Sequence, residues 1–439
     1  MGTEIDFFGA VGGVTGSCTL YDKSLLVDCG LYQGIDEKEG INYKPFDFDV
    51  NEIELAVITH AHLDHSGLIA RLVKAGYRGD FLMTPQTKEL TALVLSDMIH
   101  VVASNGNEPL YNYRELNETL NQCVCVPYNT PVKIGNKIVS LVNSGHIAGS
   151  ASVAVEKYGR KHHTTIFSGD LGNGSYGNTV FADTIIMEST YGDKMHVKED
   201  PYDVLYQEAH QLEVQNEGTL LIPTFSIDRA QMILGILRNL KLLGLISDDL
   251  PVYLDTPMGI EATKIYNRYF NQPKGKRTEL SYEELFKFKG LKLTSSRQAS
   301  EAIPRNNKPK IVMAGAGMMQ GGRILRHAGY YLPDEKSRIL FVGYQSEGTI
   351  SQQIASGEKL VFIDGQWVPV NAHVRSSGTF SAHADQNTLV DWLHGFSGIS
   401  NIILNHGGDK QRCELAKRLE NEYDGVDIFI PKHRQALTV

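Results

Sequence analysis

Within THAHLDHSG, residues 59–67, three imidazoles and a carboxylate fall in six consecutive positions, at His60, His62, Asp64 and His65. Imidazole nitrogen and carboxylate oxygen are ligands that suit zinc, and a catalytic zinc keeps one coordination position open. Four such donors are too many for one open ion. The spacing therefore points to a pair of ions about 3.5–4 Å apart. His60 and His62 are two residues apart, so at an extended strand end their side chains project to the same side. Asp64 and His65 follow where a tight turn into a helix can fold them back. Three more donors come after apolar runs: His146 in LVNSGHIAGS, Asp170 in TTIFSGDLGN and His406 in NIILNHGGD. Glycine flanks each of them, which lets backbone crowd a metal centre.

The elements that must position these residues alternate along most of the chain. IELAVITH reads as a strand, SGLIARLVKAG as a helix with Ser66 as its N-cap, and GDFLMT as another strand. KIVSLVN, ASVAVEKY, TTIFSGD and DTIIMEST continue the sheet pattern. From about residue 201 the units lengthen. PYDVLYQEAHQLEVQNEG and SIDRAQMILGILRNLKLLG read as helices, and TLLIPTF, VYLDTP, KIVMAGAG and RILFVGY as apolar runs of the kind buried in parallel sheets. HVRSSGTF and NIILNHGG return to short units. At 439 residues the chain exceeds what one core usually supports, so two domains are expected. They are placed at 1–200 with 372–439, and at 201–371 as an insertion.

Composition narrows the function classes. Residues are 42% hydrophobic and 21% charged, an ordinary soluble balance. No apolar run approaches the roughly 18–20 residues that cross a bilayer, and MGTEIDFFGA lacks the layout of a signal peptide. Five cysteines supply no disulfide framework, and CVC at 123–125 has the wrong spacing for a zinc ribbon. A cytoplasmic protein with no membrane partner is the expectation. A net charge of −9 argues against nucleic-acid binding by bulk electrostatics. The 203–372 stretch is close to neutral, so the excess acid lies elsewhere.

Taken together, HAHLDH, His146, Asp170 and His406 resemble the metal-binding motifs of the metallo-β-lactamase fold. The resemblance implies an α/β protein, an αββα sandwich with the active site at one rim. It implies two Zn2+ ions per chain, with Mn2+ as an alternative. His60, His62 and His146 would hold one ion, Asp64, His65 and His406 the other, and Asp170 would bridge them. Asp28 in VDCG matches the family's early aspartate, which supports the ligands from behind. The insertion lies between Glu188 of MESTYGD and His383 of FSAHAD. This layout resembles the β-CASP branch, whose members cut nucleic acids. LIPTFSIDRAQ, VYLDTPMG, IVMAGAGMMQGGRILRH and ILFVGYQSEGTI are similar to stretches of that branch. RNA enzymes of the branch carry a histidine at its last motif and Artemis-type DNA enzymes a valine. Here the position is His406.

The expected function is thus a zinc ribonuclease acting on single-stranded RNA, with internal cutting and 5′-to-3′ processive cutting both open. The catalytic set is His383, Glu188 and Asp64. His383 would protonate the departing 3′ oxygen, and Glu188 would hold its tautomer. GAGMMQGGR, residues 315–323, opens a helix and can offer backbone N–H groups to phosphate at Gly317, with Arg323 and Arg326 one turn apart. Arg229 and Ser381 complete the expected RNA contacts, and the insertion is expected to cover the site. The alternatives are a DNA nuclease of the same fold, a small-molecule metallo-hydrolase and a catalytically silent scaffold. The sequence shows neither an N-terminal KH module, as archaeal relatives carry, nor the C-terminal extension of RNase J. Target choice is therefore not carried over, and a homodimer stays open.

Overall fold

The computed structural model describes every residue except 1, 38–39, 160, 175–179, 198, 271–285, 344 and 346–347. Part of the motif ILFVGYQSEGTI thus lies outside the described residues. The chain forms two compact units, residues 1–195 with 383–439, and residues 196–382. The second boundary falls later than the expected 371/372. His373–Ser376 pairs in parallel with Arg338–Phe341, so this strand completes the sheet of the inserted unit.

The first unit holds two seven-stranded sheets. Between them lies one core, to which Phe7, Val27 and Val57 contribute from one sheet and Leu141, Val153, Phe167, Ile186 and Ile403 from the other. A second core packs Leu26, Ala56 and Ile58 against Ile69, Leu72 and Leu95 of the helices outside the first sheet. A third packs Ile185, Met187, Ile402 and Leu404 against Leu389, Leu393 and Leu415 outside the second. The alternation explains why TIIM and NIIL read as unbroken apolar runs. Both faces of those strands are covered, so successive side chains enter different cores. The architecture is the αββα sandwich.

Strand direction then makes the site. Leu25–Val27 and Leu55–Val57 run parallel in the first sheet. His163–Phe167, Thr184–Met187 and Asn401–Leu404 run parallel in the second. Lys137–Asn143 shares their direction through two successive antiparallel pairings. The residues just past the C-terminal ends of these strands are Asp28, the HAHLDH turn, His146, Asp170, Glu188 and His406.

One local expectation is overturned. The helix after the HAHLDH strand starts at Leu63, with His62 at the N-cap position. Ser66 is not the cap; its hydroxyl donates to the Ala61 and His62 carbonyls. Helical backbone thus begins inside the motif, and that turns Asp64 and His65 back towards the strand end.

The second unit is a six-stranded parallel sheet, in the order Leu291–Leu293, Val252–Asp255, Lys310–Ala314, Thr219–Pro223, Arg338–Phe341, His373–Ser376. The helices Arg229–Leu242 and Arg323–Tyr331 follow Thr219–Pro223 and Lys310–Ala314. Among the described residues no helix is long and apolar enough to cross a membrane.

Candidate metal centre

Two donor sets form at the rim of the first unit. His60, His62, His146 and Asp170 make one, and Asp64, His65, Asp170 and His406 the other. In the first, His62 Nδ1 stands 3.2 Å from His60 Nε2 and 3.2 Å from His146 Nε2. Asp170 Oδ2 lies 3.4 Å from His60 Nε2 and 3.6 Å from His146 Nε2. In the second, His65 Nε2 is 3.0 Å from His406 Nε2 and 3.2 Å from Asp170 Oδ1. Asp64 Oδ2 is 3.6 Å from His406 Nε2 and 3.9 Å from His65 Nε2.

These edges test whether a metal fits. Four ligands at zinc bond lengths of about 2.0–2.2 Å, placed tetrahedrally, stand about 3.3–3.6 Å apart. The observed spacings scatter around that value. Asp170 makes the same point independently. It is 1% exposed, and neither carboxylate oxygen has a hydrogen bond of normal geometry among the described residues. A buried carboxylate without donors is costly unless a cation compensates it. Each of its oxygens faces a different histidine set.

Electrostatics agree with the donor role. Burial holds the His60 imidazole well below its usual range and pulls His62 down to about 4. Both rings are neutral at pH 7, as a ligand must be. At Asp64 burial is outweighed by His65 and His406, which lower the carboxyl to about 2. Burial also disfavours charge on His65, but Asp170, Asp28 and Asp64 outweigh it and raise its basicity well above the ordinary value. Three carboxylates that raise one imidazole describe a cavity short of positive charge.

Backbone shape brings the loops this close. Gly30 is needed because a Cβ there would sit 1.7 Å from the Asp64 carbonyl oxygen, and one on Gly172 would sit 1.9 Å from that of Gly145. Asp28 braces the donors from behind. Its Oδ2 lies 2.6 Å from His65 Nδ1, and its carboxylate accepts from the Thr59 amide at 2.8 Å and from the Thr59 hydroxyl at 2.9 and 3.0 Å. The same hydroxyl lies 3.1 Å from His60 Nδ1. One carboxylate thus orients a donor of each set, directly for His65 and through Thr59 for His60. The role of Thr59 escaped sequence reasoning, because a hydroxyl beside a histidine motif carries no signal until its rotamer is known.

His383 and Glu188 stand beside these sets. His383 Nδ1 is 3.3 Å from Glu188 Oε1 and 3.9 Å from Asp170 Oδ2. The Leu171 amide donates to Glu188 Oε1 at 2.6 Å, which keeps that carboxylate in place. Burial disfavours charge on His383, but Glu188 and then Asp170 outweigh it and lift the imidazole to about 9. Its side chain is 24% exposed, against 1% for Asp170, so His383 faces the open side.

The remaining expected residues lie in the second unit. Arg229 is buried at the start of its helix. Gly317 packs against the Phe225 ring, which a Cβ would meet at 2.8 Å. Ser381 is 7% exposed. Arg323 and Arg326 are expected on phosphate, yet their guanidinium groups are engaged within the protein. Arg323 donates to Asp255 Oδ1 at 2.6 Å and to the Thr294 and Ser295 carbonyls at 2.9 and 2.6 Å. Arg326 donates to Glu301 at 3.0 Å and Ser300 at 3.2 Å.

Comparison with known proteins is consistent with this arrangement. The metallo-beta-lactamase superfamily profile matches residues 11–82, the Beta-Casp domain residues 230–354, and the Zn-dependent metallo-hydrolase RNA specificity domain residues 367–431. Ribonuclease TTHA0252 of Thermus thermophilus is 35% identical over 427 residues, which span 94% of this chain and 95% of that protein. The chain belongs to the β-CASP family of the metallo-β-lactamase superfamily. Another relative of this β-CASP protein is the transcription termination factor FttA of Methanosarcina mazei. It is 31% identical over 435 residues, 92% of this chain and 67% of the relative. A crystal structure of a protein of unknown function from Enterococcus faecalis V583 matches all of both chains with a TM-score of 0.58 at 12% identity, a likeness of fold alone.

Proposed function

We propose that this β-CASP protein is a two-metal ribonuclease that hydrolyses phosphodiester bonds of single-stranded RNA. The observation that carries this reading is Asp170, buried between two histidine sets with one oxygen towards each. His60, His62 and His146 would hold one zinc, Asp64, His65 and His406 the other, and Asp170 would join them. Bound there, metal ions would supply a water nucleophile near neutral pH and charge neutralisation at the phosphoryl group.

The protein's own groups supply the rest. Glu188 accepts from His383 at Nδ1 and keeps a proton on that nitrogen. The other nitrogen, Nε2, then gives its proton to the departing 3′ oxygen as the P–O3′ bond breaks and water oxygen joins phosphorus. The products are a 5′-phosphate and a 3′-hydroxyl. Asp28 and Thr59 hold the tautomers of His65 and His60 while charge moves. RNA is favoured over DNA by His406 at the last motif, by the match to an RNA specificity domain over 367–431, and by the ribonuclease name of a relative at 35% identity. Within the second unit, RNA contacts are assigned to Arg229, the backbone at Gly317 and Ser381. Arg323 and Arg326, already engaged, are assigned to the scaffold.

End-labelled single-stranded RNA and DNA of one sequence, with a 5′-monophosphate or 5′-triphosphate and with or without chelator, test the proposal. RNA cut faster than DNA in a chelator-sensitive way is expected. Equal rates would remove the sugar preference. Inertness to both, with turnover of a phosphodiester or thioester ester probe, would move the protein to the small-molecule class.

A further inference from the structure

The turn Glu188–Ser189–Thr190 touches two functional side chains. Glu188 faces His383. Two residues on, Thr190 Oγ1 lies 3.3 Å from His406 Nδ1 and donates to the His406 carbonyl at 3.4 Å. His406 has a left-handed backbone, φ +48°. That conformation is pinned on both sides, since its amide donates to the Ala10 carbonyl at 2.9 Å and its carbonyl accepts from the Ser189 amide at 3.0 Å. What stays undetermined is how the ring is turned and which nitrogen carries the proton.

Two acceptors compete for Nδ1–H of His406. One is Thr190 Oγ1, and the other is Asp170 Oδ1 at 3.4 Å. A proton given to Asp170 would occupy the carboxylate oxygen that faces the second donor set. A proton given to Thr190 leaves that oxygen available, and Nε2 then points at His65 Nε2 and Asp64 Oδ2. The hydroxyl can serve both ends, since its own hydrogen goes to the His406 carbonyl while its lone pair receives Nδ1–H. His60 with Thr59 and His65 with Asp28 show the same device on the opposite sheet.

We propose that Thr190 is a positioning residue for the second metal: it fixes the tautomer of His406 and so directs Nε2 at the ion. The inference rests on the two-metal reading above. Outer partners of metal-bound histidines change metal affinity by about 10–100-fold when removed.

The test uses the full chain with Zn2+ alone, titrated against a chelating buffer and read by elemental analysis, then with Co2+ and its visible spectrum. Thr190→Val keeps the shape without the hydroxyl. It is expected to bind the second ion about 10–100-fold more weakly, to keep the first at wild-type affinity and to alter the Co2+ bands of one site. Thr190→Ser is expected to restore all three. Thermal unfolding of the metal-free variants serves as the fold control, and Thr190→Ala replaces the valine if that variant does not fold. Wild type with two ions and a Thr190→Val variant with unchanged affinities would overturn the role of Thr190 alone. Equal weakening of both ions that serine does not rescue would mark the residue as merely structural. Wild type that never holds a second ion would overturn the two-metal reading, and this inference with it.

Discussion

Asp170 in the first unit and Asp255 in the second are both buried carboxylates, Asp170 just past the C-terminal end of a strand and Asp255 the last residue of one, yet their surroundings differ. Asp255 is 0% exposed and fully bonded, with Arg323 at 2.6 Å on one oxygen, and Ser300 at 2.5 Å and His327 at 2.6 Å on the other. Asp170 has the five imidazoles of the two donor sets around it and, among the described residues, no hydrogen bond of normal geometry. The first arrangement is closed, because positive charge and donors already match the carboxylate. The second is open, and a cation completes it. Glu208 repeats the closed pattern, bonded by Arg338 at 2.6 Å and Arg375 at 3.2 Å. Buried charge alone therefore does not mark a site; the missing partner does.

The largest expected effect breaks the open arrangement. Asp170→Asn should lose both ions and bring RNA hydrolysis down to the level seen with chelator, read by elemental analysis beside the cleavage assay. A variant that keeps two ions would show that the histidines suffice and that Asp170 is not the joining group.

His383→Ala comes next. It should keep both ions and its RNA affinity while losing about 10²–10⁴ in rate. A metal content that falls with the rate would make His383 a ligand, which its donor atom within 4.8 Å of those of Asp170 and Glu188 also allows.

The closed arrangement should answer in stability instead. Asp255→Asn leaves Arg323 without its counter-charge, and breaking a buried pair costs about 3–5 kcal/mol. Ion content should not change. Burial raises the Asp255 carboxyl, but His327, Ser300 and Arg323 outweigh it and hold it below its ordinary value. A depressed carboxyl stabilises fully above its unfolded value of about 3.9 and loses that contribution as pH falls through the folded value. The gap between wild type and variant should thus hold at neutral pH and close below about pH 4. Denaturant unfolding across that range checks both points.

Arg323→Ala should produce the smallest effect on binding. A phosphate contact would reduce the salt slope of RNA binding by about one unit. With its guanidinium engaged by Asp255, Thr294 and Ser295, Arg323 should lower stability and leave that slope nearly unchanged. A full unit of change would show that the ion pair opens for RNA.

The candidate donors that the structure brings together were legible because their types and contexts repeat. Three histidines and an aspartate after an apolar run, then His146, Asp170 and His406 among glycines, carry chemistry in their spacing. Thr59 and Thr190 were not legible. Threonine is common, and its role here depends on one hydroxyl standing 3.1 or 3.3 Å from a particular ring nitrogen. Arg323 is the opposite case. Beside glycines at a helix start it reads as a phosphate ligand, and only the structure shows Asp255, 68 positions earlier in the chain, engaging its guanidinium. The strand at 373–376 follows the same logic, since four residues of sequence do not name the edge they join.

By itself, the sequence determined which candidate donors exist, the αββα class with its insertion, and the strand ends that carry each donor. The donors and the strand ends follow from residue type and local periodicity, and the αββα class with its insertion from the resemblance of the motifs to a known family. Tertiary structure alone decided which oxygen of Asp170 faces which histidines, which hydroxyl orients which ring, and which buried charges already have a partner. These depend on distances between residues as far apart as His65 and His406, and such distances exist only once the parallel strands have brought their C-terminal ends to one rim.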